Sequence, residues 1–468
     1  MLKLILQTVL IFSTCIHIFA FAKAGINIVA DNKCHKTLNY RQLSSSQSEK
    51  LKVIKPNSSK DLNYVTTGYF TQTYLTKSIQ VSDENNKLIG EIKFHLSNNW
   101  LSNDFNVFYV HGDVTVDLRA LSWKNIYGTP NFTITACPIH IKDRTGSFLE
   151  GVDRVVIFGD SLSDKGTLHE YSLGVIPNAR HYYDGVFSNG PVWTMLLERD
   201  LLEKNVNVSN YAVGGSTAVF HFNFKDLPYS IAGQKKVFAD NANDEQWKTF
   251  DRFLNFIFIG ANDYTEASPD MTQEILDDTT NKVIAAIKEH VDALISDYGM
   301  GKFVLITLPN LALTPKSKTL GNGDITEKLT HTHNLKLKQL VTQYQNNYPK
   351  KAFRLVDIDP IFSEMVLDSE KINKNYDLVI QDHSTPCWPG GYFENEDDLE
   401  ALLEDRFFPK SLLEVSKDDV ICEHPEHHLF FDHLHPTKQI HRTLYIYIMG
   451  ELGVNMVDHL DASFKEEL

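Results

Sequence analysis

The chain has 468 residues, of which 42% are hydrophobic and 22% charged, and its formal net charge is −15. This length and composition provide enough apolar residues for two or three globular domains with sizeable cores. The acidic balance argues against nucleic acid as a partner and against electrostatic docking on an anionic membrane, because both need clustered Lys and Arg.

The first segment, residues 1–24, has the pattern of a secretory signal peptide. Lys3 precedes a mostly apolar stretch over residues 4–21, and the Ala-Lys-Ala sequence at 22–24 is a small-x-small cleavage site. An N-terminal membrane anchor is the alternative, because the apolar stretch is nearly long enough to cross a bilayer. We therefore expect a secreted, extracellular protein.

Cleavage after this segment would leave four cysteines, namely Cys34, Cys137, Cys387 and Cys422. An even number of cysteines in an exported protein indicates disulfides. Four cysteines allow three pairings. Their positions favour Cys34–Cys137 and Cys387–Cys422, with one bond in each half of the chain, and four buried free thiols are the alternative.

Residues 25–147 are predicted to form a small β-rich domain. Residues 41–60 are polar and rich in Ser and Lys, which is typical of a loop. Between residues 64 and 141, short segments with alternating polarity and many β-branched or aromatic side chains are separated by turns, which predicts strands. This domain has no recognisable catalytic signature.

Residues 148–468 have the pattern of an α/β domain. Apolar runs typical of buried parallel strands lie at 152–158, 206–211, 253–259, 302–308 and 353–358. Helical periodicity lies between them, most clearly over 270–298, where Gly299 is the predicted stop. Alternating strands and helices predict an open parallel sheet with helices on both faces, whose functional groups meet at the carboxyl ends of the strands.

Four short motifs in this domain suggest nucleophilic catalysis. Ser161 in GDSLSD, Gly215 in NYAVGG and Asn262 in GAND follow predicted strands, and Asp432 and His435 in DHLHP precede the last predicted helix. A serine needs a base to become a nucleophile, and His435 is the predicted base, oriented by Asp432. The backbone amides of Ser161 and Gly215 and the side-chain amide of Asn262 are the predicted oxyanion donors. Each motif alone also fits an ordinary cap, turn or surface pair.

These motifs resemble the four conserved blocks of the GDSL (SGNH) hydrolases. Residues 186–194 (VFSNGPVWT) and 210–218 (NYAVGGSTA) are similar to bacterial secreted phospholipases and glycerophospholipid:cholesterol acyltransferases, including the Legionella Pla-type enzymes and the Vibrio thermolabile haemolysins. The resemblance covers residues 151 to about 450. It implies the SGNH-hydrolase fold, a flavodoxin-like parallel sheet sandwiched by helices. Thr167 departs from the pattern, since the relatives usually have Asn there.

The resemblance implies a secreted serine lipolytic enzyme, a phospholipase A or lysophospholipase that works through an acyl-enzyme without cofactor or metal. Its implied partners are phospholipid or lysophospholipid of a host or bacterial membrane, cholesterol as an alternative acyl acceptor, and an activating protease. A short-chain or carbohydrate esterase of the same fold is one alternative, and a non-catalytic membrane-binding cytolysin is another.

Other residues near the motifs have structural explanations. The histidine-rich stretch 423–435 lacks the spacing of a zinc site, and His433 is expected to be solvated. Asp160 is predicted to brace the serine turn, and Asp164 and Asp263 are predicted to be structural.

The insertion at about 387–422 contains one further helical pattern. Its residues 397–410 (DDLEALLEDRFFPK) put apolar side chains on one helical face. They are therefore predicted to form either a packed surface helix or a lid over an acyl groove.

Overall fold

The computed structural model divides into two compact units, Met1–His140 with Val457–Leu468, and Ile141–Met456. It describes residues 25–457 except 33–37, 45–46, 56–57, 67–72, 84–87, 100–101, 113, 117–121, 124–130, 137–139, 179, 203, 220–228, 246, 248, 377 and 393–419. The predicted signal peptide, the predicted Cys34–Cys137 bond and the predicted helix at 397–410 lie outside the described residues. The domain bounds 25–147 and 148–468 stay predictions.

The described part of the first unit is made of β-strands in two sheets. Its strands are β1 Gly25–Asn32, β2 Leu38–Ser44, β3 Gln47–Ile54, β4 Ser58–Thr66, β5 Thr73–Asp83, β6 Leu88–Asn99, β7 Ser102–Gly112, β8 Val114–Val116, β9 Ser122–Trp123 and β10 Asn131–Ala136. One sheet has the order β3-β2-β5-β6-β7-β9, and its neighbouring strands are antiparallel. The other has the order β4-β1-β10-β8, in which β1 and β10 are parallel. Alternate residues such as Ile28, Ala30 and Ile134 are fully buried.

The expectation of a loop over residues 41–60 is wrong. This stretch contains the end of β2, all of β3 and the start of β4, and β2 pairs with β3 from Leu38↔Ile54 to Ser44↔Gln47. β3 is an edge strand, and edge strands are commonly rich in charged residues such as Lys. The polar composition therefore concealed a hairpin whose inward side chains include Tyr40 and Ile54, at most 2% exposed.

The second unit contains a five-stranded parallel sheet covered by helices. The strands that lie wholly or largely in this unit are β11 His140–Asp143, β12 Arg154–Gly159, β13 Asn207–Asn210, β14 Phe253–Phe258, β15 Lys302–Ile306, β16 Ala352–Val356 and β17 Asn455–Val457, of which β12 to β16 form the parallel sheet. Its helices are α1 Thr167–Tyr171, α2 Trp193–Leu202, α3 Ile231–Asp244, α4 Gln273–Tyr298, α5 Pro315–Leu320, α6 Gly323–Asn347, α7 Asp359–Leu367, α8 Ser369–Tyr376 and α9 Lys438–Glu451. β11 and β17 form a separate pair. As predicted, Gly299 stops α4: the helix ends at Tyr298, and Gly299 caps it with a left-handed φ of +70°.

The parallel sheet has the order β13-β12-β14-β15-β16, which is the flavodoxin-like order 2-1-3-4-5. The predicted fold class is therefore confirmed. The chain passes from β12 to β13 at one side of the sheet and then returns past β12 to β14. Because connections between parallel strands are right-handed, α2, which precedes this reversal, lies on one face of the sheet. The helices α3, α4 and α6, which follow it, lie on the other face. Accordingly, α3 packs on α4, α4 packs on α6, and α9 packs beside α2. The strand order reverses beside β12. Folds of this class bind ligands at the carboxyl ends of the strands at that point, which here is the carboxyl end of β12.

Three buried histidines predict that the second unit loses stability in mild acid. His290, His333 and His441 are at most 2% exposed, and burial lowers the pKa of each from 6.5 to about 3. Between these two values the unfolded chain binds protons that the folded chain does not, so the free energy of unfolding falls as the pH drops through this window. At about pH 5 each of these histidines should lower the free energy of unfolding by roughly 2 kcal/mol.

Urea unfolding of the wild type, His290→Leu and His331→Leu at about pH 7 and about pH 5 measures this loss. Leucine at position 290 keeps an apolar group against Phe158, whose ring centroid is 4.3 Å from the imidazole, and removes one titrating group. That variant should therefore lose less stability in acid than the wild type. His331 is exposed on α6, and its replacement is the control. Equal acid losses in all three proteins would contradict the prediction.

Candidate active site

The turn after β12 places Ser161 at the carboxyl edge of the sheet. Gly159 ends the strand, and a Cβ there would lie 2.7 Å from the carbonyl oxygen of Phe258 on the neighbouring strand, so the position requires glycine. The buried Gln234 side chain donates to the Gly159 carbonyl at 2.7 Å and accepts from the Gly159 amide at 2.9 Å. These contacts hold the strand end directly before Asp160 and Ser161.

Ser161, His435 and Asp432 form a continuous chain of short polar contacts. Oγ of Ser161 lies 2.7 Å from Nε2 of His435, and Nδ1 of His435 lies 2.7 Å from Oδ2 of Asp432. All three residues are at most 4% exposed. The fold thus brings together the serine after β12 and the Asp-His pair before α9, which are the residues that the sequence assigns to a catalytic triad.

The environment of Asp432 determines which nitrogen of His435 carries the proton. Burial raises the pKa of this carboxyl, but the charge of His435 and hydrogen bonds from His435 and the Leu434 amide outweigh burial, so the pKa lies below its ordinary value. Ionised Asp432 can only accept hydrogen bonds, so Nδ1 of His435 donates to it. In the neutral imidazole, Nε2 then carries no proton and can accept from the Ser161 hydroxyl, which is the geometry of a general base.

Asn262 and Gly215 lie in the loops after β14 and β13. Asn262 belongs to the 3₁₀ helix Ala261–Asp263 and lines the same cavity as Ser161 and His435. Its Nδ2 donates one hydrogen to the Ser216 carbonyl at 2.9 Å, and the amide carries a second hydrogen. Gly215 precedes Ser216 and has a φ of +75°, in the region that favours glycine. The Asn262 loop is therefore joined to the glycine loop.

Asp164 and Asp263 hold these loops together, which is the structural function expected of them. Asp164 accepts backbone hydrogen bonds, 2.6 to 3.1 Å long, from Gly166, Thr167, Leu168 and Gly214. Burial raises the pKa of this carboxyl, and the four hydrogen bonds oppose the increase. Asp263 accepts from the amides of Ala218 and Val219 at 2.8 and 3.0 Å.

Asp160 braces the serine turn with one of its two carboxyl oxygens. Oδ1 accepts from the Leu162 amide at 3.1 Å, which agrees with the predicted bracing function. Oδ2 is buried without a hydrogen-bond partner among the described residues. Burial raises the pKa of this carboxyl to about 7, although the Leu162 hydrogen bond and the charge of His435 oppose the increase.

The 186–194 segment positions the histidine loop, a contact that sequence analysis missed. Ser188 Oγ donates to the Pro436 carbonyl at 2.9 Å, and Oδ1 of Asn189 accepts from the Lys438 amide at 2.8 Å. The Phe187 ring centroid lies 4.9 Å from that of His435. The available signal was the resemblance of VFSNGPVWT to a family block, but nothing in the sequence connects that block to the DHLHP loop.

Cys387 and Cys422 form a disulfide with an S–S distance of 2.00 Å, beside the loop that carries Asp432. The Cys387 amide donates to the Phe430 carbonyl at 3.1 Å, and the Trp388 amide donates to the Phe431 carbonyl at 2.6 Å. The disulfide segment therefore pairs with the chain directly before Asp432.

Two further features concern metals and membranes. His433 is partly exposed, and its Nε2 lies 3.2 Å from the Pro389 carbonyl oxygen. Among the residues that the structure describes, no group of three or more His, Cys, Asp or Glu side chains is arranged to hold a metal ion. Within the same residues, no helix is both long enough and apolar enough to cross a membrane.

A narrow cavity of about 30 Å³ opens beside the serine. Asp160, Ser161, Asn262 and His435 form its polar end. The rest of its wall is largely apolar and includes Leu162, Pro309, Leu311, Ile358, Phe362, Leu434 and Leu444. The wall next to the nucleophile is apolar, and the cavity volume is of the order of one water molecule.

Comparisons with known proteins agree with this geometry. A profile of the GDSL-like Lipase/Acylhydrolase family matches residues 155–448. The phosphatidylcholine-sterol acyltransferase of Aeromonas hydrophila is 26% identical over 322 residues, which cover 62% of this chain and 87% of that protein.

Two other relatives match over smaller parts of their length. The secreted effector protein SseJ of Salmonella typhimurium is 25% identical over 300 residues, covering 63% of this chain and 62% of that protein. The thermolabile hemolysin of Vibrio parahaemolyticus is 31% identical over 173 residues, covering 36% of each. Because the family profile spans more than half of the chain and includes the Ser161 and His435 motifs, this protein belongs to the GDSL-like lipase/acylhydrolase family.

Proposed function

We propose that this protein is a serine lipolytic enzyme, a phospholipase A or lysophospholipase that cleaves acyl esters through an acyl-enzyme. The observation that carries the proposal is the chain of 2.7 Å contacts from Ser161 through His435 to Asp432. A serine hydroxyl in contact with an imidazole nitrogen, on a ring oriented by a buried carboxylate, is the arrangement of an activated nucleophile.

In this mechanism Ser161 Oγ bonds to the ester carbonyl carbon while Nε2 of His435 takes the hydroxyl proton. The carbonyl oxygen becomes an oxyanion, for which the Ser161 and Gly215 amides and the Asn262 side chain are the proposed donors. Collapse breaks the bond to the leaving alcohol, which receives the proton from His435. Water then repeats these steps on the acyl-enzyme, releasing the fatty acid and restoring Ser161.

The apolar wall of the cavity favours a lipid acyl group over a sugar acetate. Burial of each methylene is worth about 0.8 kcal/mol, so the apolar wall gains affinity from those methylenes of an acyl group that contact it. The relative from Aeromonas is a phosphatidylcholine-sterol acyltransferase, which supports phospholipid as donor and a sterol such as cholesterol as an acceptor competing with water. The secreted effector among the relatives supports an exported enzyme.

A lipid panel tests this proposal directly. The full chain is incubated with phosphatidylcholine and lysophosphatidylcholine vesicles, with and without cholesterol, and free fatty acid and cholesteryl ester are measured. We expect fatty acid from at least one phospholipid, and cholesteryl ester if sterol competes with water. Hydrolysis of short soluble esters alone would reject the lipolytic function and support a short-chain or carbohydrate esterase, which the narrowness of the cavity favours as the second candidate.

Enlarging Leu311 should change the acyl-chain preference. Leu311 is 3% exposed and lines the cavity, so Leu311→Phe adds a ring that fills the cavity volume. We expect kcat/KM for a palmitoyl ester to fall about tenfold or more relative to an acetyl ester, because lost methylene contacts cost roughly 1–3 kcal/mol. Leu335→Phe, at a half-exposed position on α6, is the matched control. An unchanged ratio for Leu311→Phe would place the acyl chain elsewhere.

A further inference from the structure

A buried tyrosine contacts the carboxylate that holds the catalytic histidine. The hydroxyl of Tyr182 donates to Oδ2 of Asp432 at 2.8 Å, and Tyr182 is 2% exposed. The two residues are 250 positions apart in the chain. Oδ2 is also the oxygen that Nδ1 of His435 contacts at 2.7 Å. The hydroxyl therefore acts on the atom that orients the proposed base.

The remaining hydrogen-bond donors to Asp432 among the described residues come from its own loop. Oδ1 accepts from the amides of Leu434 and His435, both at 2.7 Å. These bonds shape the loop but move with it. Tyr182 lies in the segment before the 3₁₀ helix Tyr183–Gly185, so its hydroxyl ties the carboxylate to a different part of the unit.

The segment that carries Tyr182 is itself held by the disulfide segment. The His181 ring stacks on Trp388 with centroids 3.8 Å apart, and Trp388 follows the disulfide-bonded Cys387. The Asn178 amide donates to the Tyr392 carbonyl at 2.9 Å, and the Tyr182 amide donates to the Asn178 carbonyl at 3.1 Å. The ring of Tyr182 packs edge-on against Phe431, 5.3 Å away. These contacts leave the phenol little freedom to turn away from Asp432.

We propose that Tyr182 is a positioning residue that holds Asp432, and through it His435, in the geometry needed to activate Ser161. This inference rests on the proposed serine hydrolase function. When His435 takes the serine proton, the imidazolium is stabilised by Oδ2 of Asp432, and the Tyr182 hydroxyl keeps that oxygen in line. The hydrogen bond from the Tyr182 hydroxyl also draws negative charge away from Oδ2 of Asp432.

Tyr182→Phe removes the hydroxyl and keeps the ring. We expect kcat to fall roughly 10- to 100-fold with little change in KM, the scale of a hydrogen bond to a charged group. We also expect the acidic limb of the kcat/KM profile to move to higher pH. Without the tyrosine hydroxyl, Oδ2 of Asp432 carries more negative charge, and this charge favours the protonated form of His435. Asp160, His441 and Tyr392, which are titratable groups that interact with His435 in the described part of the chain, are unaltered in this variant.

Tyr344→Phe is a matched control outside the cavity. Tyr344 is 3% exposed on α6, and its hydroxyl donates to Oδ1 of Asp292 on α4, also at 2.8 Å. Its loss should lower stability without changing kcat or the pH profile. If both variants lose stability alike and neither changes kcat or the profile, Tyr182 is only structural and the inference is overturned.

Labelling with a fluorophosphonate separates this inference from the proposed function. In that reaction Ser161 Oγ bonds to phosphorus, His435 takes the hydroxyl proton and fluoride leaves, so the rate reports the nucleophile without a natural ester. Slower labelling of Tyr182→Phe than of Tyr344→Phe supports the inference even if no lipid is hydrolysed. Equal labelling rates overturn it even if the wild type hydrolyses lipid, and a wild type that is not labelled at Ser161 overturns both.

Discussion

Replacing Ser161 or His435 with alanine should reduce ester turnover by roughly 10⁴- to 10⁶-fold, the scale measured for residues that act as a catalytic unit. The contact between Ser161 Oγ and His435 Nε2 at 2.7 Å means that either substitution removes the activated nucleophile. The double variant should therefore lose little more than either single variant. Asp432→Asn should lose about 10⁴-fold or less, because the carboxylate orients the base without accepting the proton.

His433→Ala and Ser296→Ala are the matched controls for these substitutions. His433 lies in the same loop but contacts Pro389, and Ser296 is exposed on α4. Both variants should keep turnover close to that of the wild type, and thermal unfolding should show that Ser161→Ala remains folded. Near-normal turnover by folded Ser161→Ala would reject the mechanism.

The same variant tests the cytolysin alternative. If damage to membranes requires lipid hydrolysis, Ser161→Ala should release no vesicle contents under conditions in which the wild type does. Retention of full lytic activity by Ser161→Ala, with turnover abolished, would instead assign the damage to non-catalytic membrane binding.

Replacing Asn262 with alanine should lower kcat by roughly 100- to 1000-fold and change KM little. One hydrogen of its Nδ2 is used by the Ser216 carbonyl at 2.9 Å, and the side chain lines the cavity beside Ser161. The second hydrogen is the proposed oxyanion donor. An oxyanion exists only in the reaction path, so loss of its donor weakens the transition state more than substrate binding.

Asn373→Ala is the control for loss of a structural amide. Its Nδ2 also donates to a backbone carbonyl, that of Ile380 at 2.8 Å, but it lies on α8 and does not line the cavity. Comparison of kcat, KM and unfolding temperature between the two variants separates oxyanion binding from loop bracing. If Asn262→Ala loses stability but keeps kcat within about threefold of the wild type, Asn262 only braces the glycine loop.

Much of the second unit could be predicted because its signals are local. The apolar runs at 253–259 and 302–308 correspond to strands β14 and β15, and Gly299 ends α4 as expected. Buried parallel strands must be apolar on both faces, and a left-handed helix end favours glycine, so both features leave a mark within a few residues. By contrast, the hairpin within residues 41–60 was missed, because an edge strand can be polar and resemble a loop.

The sequence by itself determined the fold class, the family and the identity of the candidate triad, because GDSLSD, GAND and DHLHP are short motifs adjoining regular elements. The tertiary structure alone decided how these motifs are supported. Tyr182 reaches Asp432 across 250 positions, and Ser188 reaches Pro436 across 248. A tyrosine or serine that packs against such a distant segment has no distinguishing local pattern. Its partner is set by the order of the parallel strands and by the packing of the loops at their carboxyl ends.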